Sequence, residues 1–239
     1  MGLEEKIIIA LDVGTKREAL ALAELLGEAR IFKIGLELFT AEGPALLEET
    51  VRLEKRPFLD LKFHDIPNTA AGAVRSATRN GAHMLTLHTS GGKEMMAAAA
   101  RAAQEESAKS GKGRPILLGV TILTSLKDEE LRVIGFGHGV ADQVLRLAIL
   151  AKDAGLDGVV CSPHEIEIIK KECGRDFLVV TPGIRPSWAA AQDQKRIMTP
   201  AEALQKGADY LVIGRPITGA ASPGEAFLRV LAEIMDVEA

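Results

Sequence analysis

In DLKFHDIPNT (60–69), an aspartate, a lysine and a second aspartate stand at positions 60, 62 and 65, directly after an apolar run. A surface loop carries such charges at little cost, whereas a strand entering a core does not, because an unpaired buried charge is expensive. If the stretch is a strand, Leu59, Leu61 and Phe63 share one face, and Asp60 and Lys62 share the other. Charges held on the inner face of a buried strand are there for chemistry, since an internal ion pair alone rarely improves on apolar packing. The same alternation in IFKIGL (31–36) turns Lys33 inward beside them, and in IIIALDV (7–13) it turns Asp12 inward at the strand end. Four charges of both signs then converge. Asp65 lies beyond the strand, and its role stays open at this point: HDIPN also reads as a turn in which Asp65 or Asn68 caps a helix beginning near Thr69.

A second constellation suits an anion. The segments TPGIRPSWAAAQDQKRIMTP (181–200) and IGRPITGA (213–220) each join glycine to arginine: Gly183 with Arg185, and Gly214 with Arg215. Glycine lets backbone approach a ligand closely, and arginine supplies charge with forked donors. One such pair is a turn with a surface salt bridge as readily as a site. Two pairs facing the same charged mouth favour a small phosphorylated substrate.

The elements that must position these residues follow from periodicity. Eight apolar runs of strand length occur at 7–13, 31–36, 57–63, 84–89, 115–123, 158–162, 177–183 and 210–217. Between them lie stretches rich in Ala, Leu, Glu and Lys with apolar residues near 3.6 spacing, such as REALALAELLG, which read as helices. Several close on glycine before the next run, as in RNGAHMLTL, DAGLDGVV and QKGADYLVI. Eight such units in 239 residues predict a closed α/β fold, a (β/α)8 TIM barrel forming a single domain over 1–239. In such a barrel the C-terminal strand ends carry the active site, which is where all four charges and both Gly-Arg pairs fall.

Composition agrees and excludes other classes. Hydrophobic residues make up 47% and aromatics 4%, a profile expected of helices packed on a buried parallel sheet. The net charge of -4 leaves no basic footprint for nucleic acid. Cys161 and Cys173 make neither a disulfide framework nor a zinc-spaced cluster, and His64, His83, His88, His138 and His164 form no HxH or HExxH arrangement, so no metal site is expected. His64 reads as a structural hydrogen-bonding neighbour of the charges, Trp188 as part of a mobile loop or a surface contact, and GFGHG (135–139) as a flexible loop rather than a dinucleotide site. The N-terminal MGLEEKIIIALD does not resemble a signal peptide, and no run of 18 apolar residues exists, so no membrane association and a cytoplasmic location are expected.

The runs ALDV, FKIG, LDLKFHDIPNT, LLGVTILTS, TPGIRP, DQKRIMTP and DYLVIGRPIT, in this order and across nearly the whole chain, resemble those of the orotidine 5'-phosphate decarboxylases. The resemblance implies cofactor-independent conversion of orotidine 5'-phosphate to UMP and CO2, the last step of de novo pyrimidine nucleotide synthesis, in a homodimer with sites at the subunit interface. It implies Lys62 as proton donor within a network of Lys33, Asp60, Lys62 and Asp65, with Asp65 and Thr69 contributed across the interface. Asp12 and Lys33 would hold the ribose, Thr124 and Ser125 the pyrimidine edge, and Arg185, Gln194, Gly214 and Arg215 the phosphate; Asp60 also borders the substrate. Residue types fit: loss of CO2 leaves an electron pair in the ring plane, which a fixed ammonium stabilises and protonates. Neighbouring carboxylates keep that ammonium charged.

Two alternatives remain from sequence. One is a magnesium-dependent phosphosugar decarboxylase or aldolase on the same barrel, disfavoured because Lys33 sits where a metal enzyme would want an acidic ligand. The other is a catalytically inactive nucleotide-binding barrel, disfavoured by the intact set of charges.

Overall fold

The structure is a computed structural model and describes residues 2–189 and 198–238. Strands β1 to β8 run over Ile7–Leu11, Ile31–Ile34, Arg56–Phe63, Met84–His88, Ile116–Val120, Gly158–Val160, Leu178–Thr181 and Tyr210–Ile213. Helices α1 to α11 run over Lys16–Leu25, Leu36–Glu42, Ala45–Arg52, Pro67–Arg79, Gly92–Ser110, Asp128–Val133, Val140–Asp153, Ile166–Cys173, Pro200–Gln205, Arg215–Thr218 and Pro223–Glu238. All eight strands pair in parallel and in sequence order, and β8 pairs with β1 to close the barrel.

Alternation sorts the apolar residues into two layers. Ile8, Ile31, Phe58, Met84, Leu118 and Val180 fill the inside, while their neighbours in sequence, such as Ile7, Ile9 and Phe32, pack against the helices in a core that reaches from Ile7 to Ile234. All five residues of β1 are therefore buried, as expected when a parallel strand is covered on both faces.

The eight runs read from sequence all become strands, and all but β3, which ends at Phe63 as expected, stop short of the predicted C-terminal ends. Thr89 opens a 3-10 turn and Arg215 opens α10, so the last residues of several runs belong to the loops that build the mouth. Helix α4 begins at Pro67 rather than near Thr69, with proline at its first position, where the missing N–H costs nothing. Its N-cap is Ile66, without a side-chain cap bond, so neither Asp65 nor Asn68 caps it.

At the opposite, N-terminal end, the turns GAH, GLD and GAD entering β4, β6 and β8 share one design. Gly81, Gly155 and Gly207 take φ of 86°, 84° and 102°, a region that favours glycine. In the second and third of these turns the residue two places on reaches sideways to the neighbouring strand: the Asp157 carboxylate accepts from the Leu117 N–H at 2.7 Å, and that of Asp209 accepts from the Val179 N–H at 2.6 Å. Arg114 and Lys170 donate to these carboxylates, at 2.9 Å and 2.6 Å. Among the described residues no helix is long and apolar enough to cross a membrane.

Candidate active site at the C-terminal mouth

The charges predicted to meet do meet. Lys33 Nζ donates to Asp12 Oδ1 at 3.1 Å and stands 3.9 Å from Asp60 Oδ2; Lys62 Nζ donates to Asp60 Oδ1 at 3.0 Å. The result is an alternating row, Asp12, Lys33, Asp60, Lys62, drawn from the ends of β1, β2 and β3. Burial is deepest in the middle of the row: side-chain exposure is 13% at Lys33 and 15% at Asp60, against 61% at Asp12 and 27% at Lys62. Gly35 follows β2 closely enough that a Cβ there would lie 3.2 Å from Lys33 Nζ, so a larger residue would press on the ammonium.

Lys62 reaches its place through an irregularity. The β3–β4 register runs Phe58↔Met84 and Leu59↔Leu85, then resumes at Phe63↔Leu87, so four steps on β3 meet two on β4. Within this bulge Lys62 adopts φ of 53°, a left-handed conformation costing roughly 1–2 kcal/mol outside glycine. Strain of this kind clusters at functional sites. Thr86, fully buried on β4, holds the bulge: its Oγ1 accepts from the Lys62 backbone N–H at 2.9 Å and donates to Asp60 Oδ1 at 3.0 Å. The sequence reading passed over this threonine. Its signal was a hydroxyl at an inward position of MLTLHT, two residues from Met84.

His88, at the end of the same strand, lies half-buried beside this group, and its pKa is held below the usual histidine value by burial first and then by the positive charges of His64 and Lys62; Asp60 opposes them. The His64 ring is tilted against that of His88 with centroids 5.5 Å apart. His64 is exposed and makes a ring contact, not the structural hydrogen bond expected of it among the described residues.

Two adjoining cavities share Lys33, Pro182 and Val212. One, of about 190 Å³, has apolar walls that include Phe58, Val120 and Ile122, with Asp60, Lys62 and Thr124 at its polar side. The other, of about 160 Å³, is lined by Asp12, Gly183, Arg185, Gly214 and Arg215. Gly183 takes φ of 79°, which its turn requires. Arg185 is only 6% exposed as a residue and lines this cavity beside Arg215, so the two bring positive charge and forked donors to a space that suits an anion. Its backbone N–H donates to the Met198 carbonyl at 3.0 Å, and Ile184 bridges Met198, so the two ends of the intervening segment are tied together. Trp188 is half-buried under Arg229, whose guanidinium lies 4.3 Å from the ring centroid, and Ser187 donates from its N–H and hydroxyl to Glu233.

Other expected site residues stand apart within one chain. Asp65 is exposed, and its Oδ1 accepts from the Ile66 N–H at 2.6 Å. Thr69 is exposed in the first turn of α4, and Ser125 is exposed next to Thr124. Gln194 lies outside the described residues. Among the described residues no three His, Cys, Asp or Glu side chains gather as a metal cage.

The profile of the Orotidine 5'-phosphate decarboxylase / HUMPS family matches residues 5–230. A protein of Paramagnetospirillum magneticum described as orotidine 5'-phosphate decarboxylase is 52% identical over 95% of this chain and 97% of its own. One of the same description from Gloeothece citriformis is 47% identical over 98% of this chain and 100% of its own. The crystal structure of orotidine 5'-phosphate decarboxylase from Lactobacillus acidophilus superposes with a TM-score of 0.85 at 34% identity, covering 96% of this chain and 99% of that one. By the extent of these matches, the chain belongs to the Orotidine 5'-phosphate decarboxylase / HUMPS family.

Proposed function

We propose that this chain converts orotidine 5'-phosphate to UMP and CO2, closing de novo pyrimidine nucleotide synthesis, without metal or organic cofactor. The observation that carries the reading is the Lys62 ammonium fixed 3.0 Å from Asp60 on the wall of a largely apolar cavity, next to a second cavity holding Arg185 and Arg215. The pyrimidine occupies the first and the phosphate the second, with the ribose between them near Asp12 and Lys33.

In the reaction the bond between ring carbon and carboxylate breaks, CO2 leaves, and the electron pair stays on the carbon in the ring plane. Ring resonance does not spread that pair, so its stabilisation falls to charge outside the ring. The Lys62 ammonium supplies that charge and then its proton, and solvent recharges the amine. Asp60 holds the ammonium in place and favours its charged form. Thr124, with Ser125, meets the pyrimidine edge, and Arg185, Gln194, Gly214 and Arg215 take the phosphate. Binding energy from the phosphate, remote from the reacting carbon, is available to the chemical step; residues 190–197 of the 183–199 loop, which is expected to respond to it, lie outside the described residues.

Asp65 and Thr69, which face outward in one chain, serve the site of a partner in a homodimer. Exposed Leu36 and Ile66, at 58% and 68%, flank the same mouth and suit such an interface. The setting proposed is the cytoplasm, where this pathway's intermediates are soluble.

The fall in ultraviolet absorbance on adding orotidine 5'-phosphate, with and without EDTA, tests the reading; no fall rejects it. The family also contains phosphosugar enzymes, and here Lys33 separates the readings: its ammonium sits between Asp12 and Asp60, where those carboxylates would otherwise be available to a divalent cation. Turnover abolished by the chelator would favour that second reading.

A further inference from the structure

We infer that Thr86 is a positioning residue for the decarboxylation, setting through one oxygen atom both the backbone of Lys62 and the carboxylate of Asp60. The inference rests on reading Lys62 as the proton donor. Where β3 bulges away from β4, the Lys62 N–H loses the neighbouring strand's carbonyl as partner, and Thr86 Oγ1 accepts from it instead at 2.9 Å. The single hydroxyl proton is thereby free to go to Asp60 Oδ1, 3.0 Å away. That same carboxylate oxygen accepts from Lys62 Nζ, also at 3.0 Å. A closed circuit results: hydroxyl to carboxylate, ammonium to carboxylate, and the lysine's own amide to the hydroxyl.

Each link removes a freedom that would spread the ammonium over several positions. The amide bond retains φ of 53° at Lys62, which a lysine does not hold unaided. The hydroxyl bond fixes the carboxylate rotamer, leaving Oδ2 turned toward Lys33. Thr86 is fully buried and is not among the residues lining the cavity, so it acts on turnover through its neighbours rather than by touching substrate. A proton donor misplaced by about 1 Å loses on the order of 100-fold in rate.

The test uses Thr86→Val, which keeps the shape and removes the hydroxyl, beside Thr86→Ser, which keeps the hydroxyl. Expected for T86V is a 10- to 100-fold fall in kcat (about the loss for a misplaced group), with KM and UMP affinity changed by less than about threefold, and for T86S a kcat near wild type. Crystal structures should show Lys62 leaving positive φ and Nζ parting from Asp60 in T86V, with both retained in T86S. A T86V kcat close to wild type overturns the inference, as does a T86S loss as large as that of T86V. If T86V does not fold, Thr86→Cys keeps the volume with a weak donor and is held to the same criteria. Wild-type protein inactive on orotidine 5'-phosphate, with the T86V displacement still seen, would reject the functional reading and leave the geometric role standing.

Discussion

At the scale of single residues, the site divides into groups that act on the reacting carbon and groups that hold the far end of the substrate, and the two should fail differently. Lys62→Ala removes the ammonium and should lower kcat by about 10²–10⁴-fold or more while UMP still binds; measured turnover above a tenth of wild type would contradict its role. Arg215→Ala removes a charged donor from the second cavity. Its loss should appear mainly as a raised KM for orotidine 5'-phosphate, roughly 10- to 100-fold for one charge-assisted hydrogen bond. Orotidine, which lacks the phosphate, should feel it much less, and equal losses on both substrates would mean that Arg215 does not serve the phosphate. Arg185, 6% exposed on the wall of the same cavity, is the second arginine an anion there would meet.

At the scale of elements, the two ends of the barrel have separate duties. The turns entering β6 and β8 clamp neighbouring strands through Asp157 and Asp209, far from the mouth. Asp157→Ala would leave the Leu117 N–H without its carboxylate partner and should cost about 1–3 kcal/mol. In a chain of this size that lowers Tm by about 2–4 °C per kcal/mol, with kcat unchanged; calorimetry beside a turnover assay checks both halves. Much of this architecture was legible in the sequence because a buried parallel strand and an amphipathic helix leave periods of 2 and 3.6. The bulge in β3 was not. A slip of two residues preserves alternation, so Asp60 and Lys62 share a face whether or not Lys62 is bent to positive φ, and the sequence reading reached the right face through a regular strand that does not exist. Thr86 was hidden for a related reason: a threonine in a strand needs no functional explanation until its hydroxyl is seen bridging two charged residues. Asp65 was left open for a third reason: it lies beyond the strand, where alternation says nothing, and its carboxylate accepts from the adjacent Ile66 N–H.

At the scale of the whole molecule, the proposed dimer and the response to pH become testable. If Asp65 serves the partner's site, Lys62→Ala and Asp65→Asn chains, each inactive alone, should regain activity on mixing. One native site per hybrid of a two-fold dimer gives about a quarter of the wild-type value at equal proportions; no recovery in verified hybrids would count against a shared site. Stability should weaken on the acid side. His83 and His88 both have pKa values lowered by burial first, then by Arg56 for His83 and by His64 and Lys62 for His88. The unfolded chain therefore binds protons that the folded one resists. Their contribution is fully present above the ordinary value of 6.5 and is lost as pH falls from there toward the lower folded values. Denaturant midpoints at pH 7.5 and 5.5 should differ in that sense, and an equal or higher midpoint at the lower pH would contradict it. The tie between Arg185 and Met198 has a consequence for how such a protein can change over generations. Because Arg185 and Met198 are fastened to each other, an insertion or deletion between them leaves both anchor points in place, so a change of length there spares the strand end that carries Gly183 and Arg185.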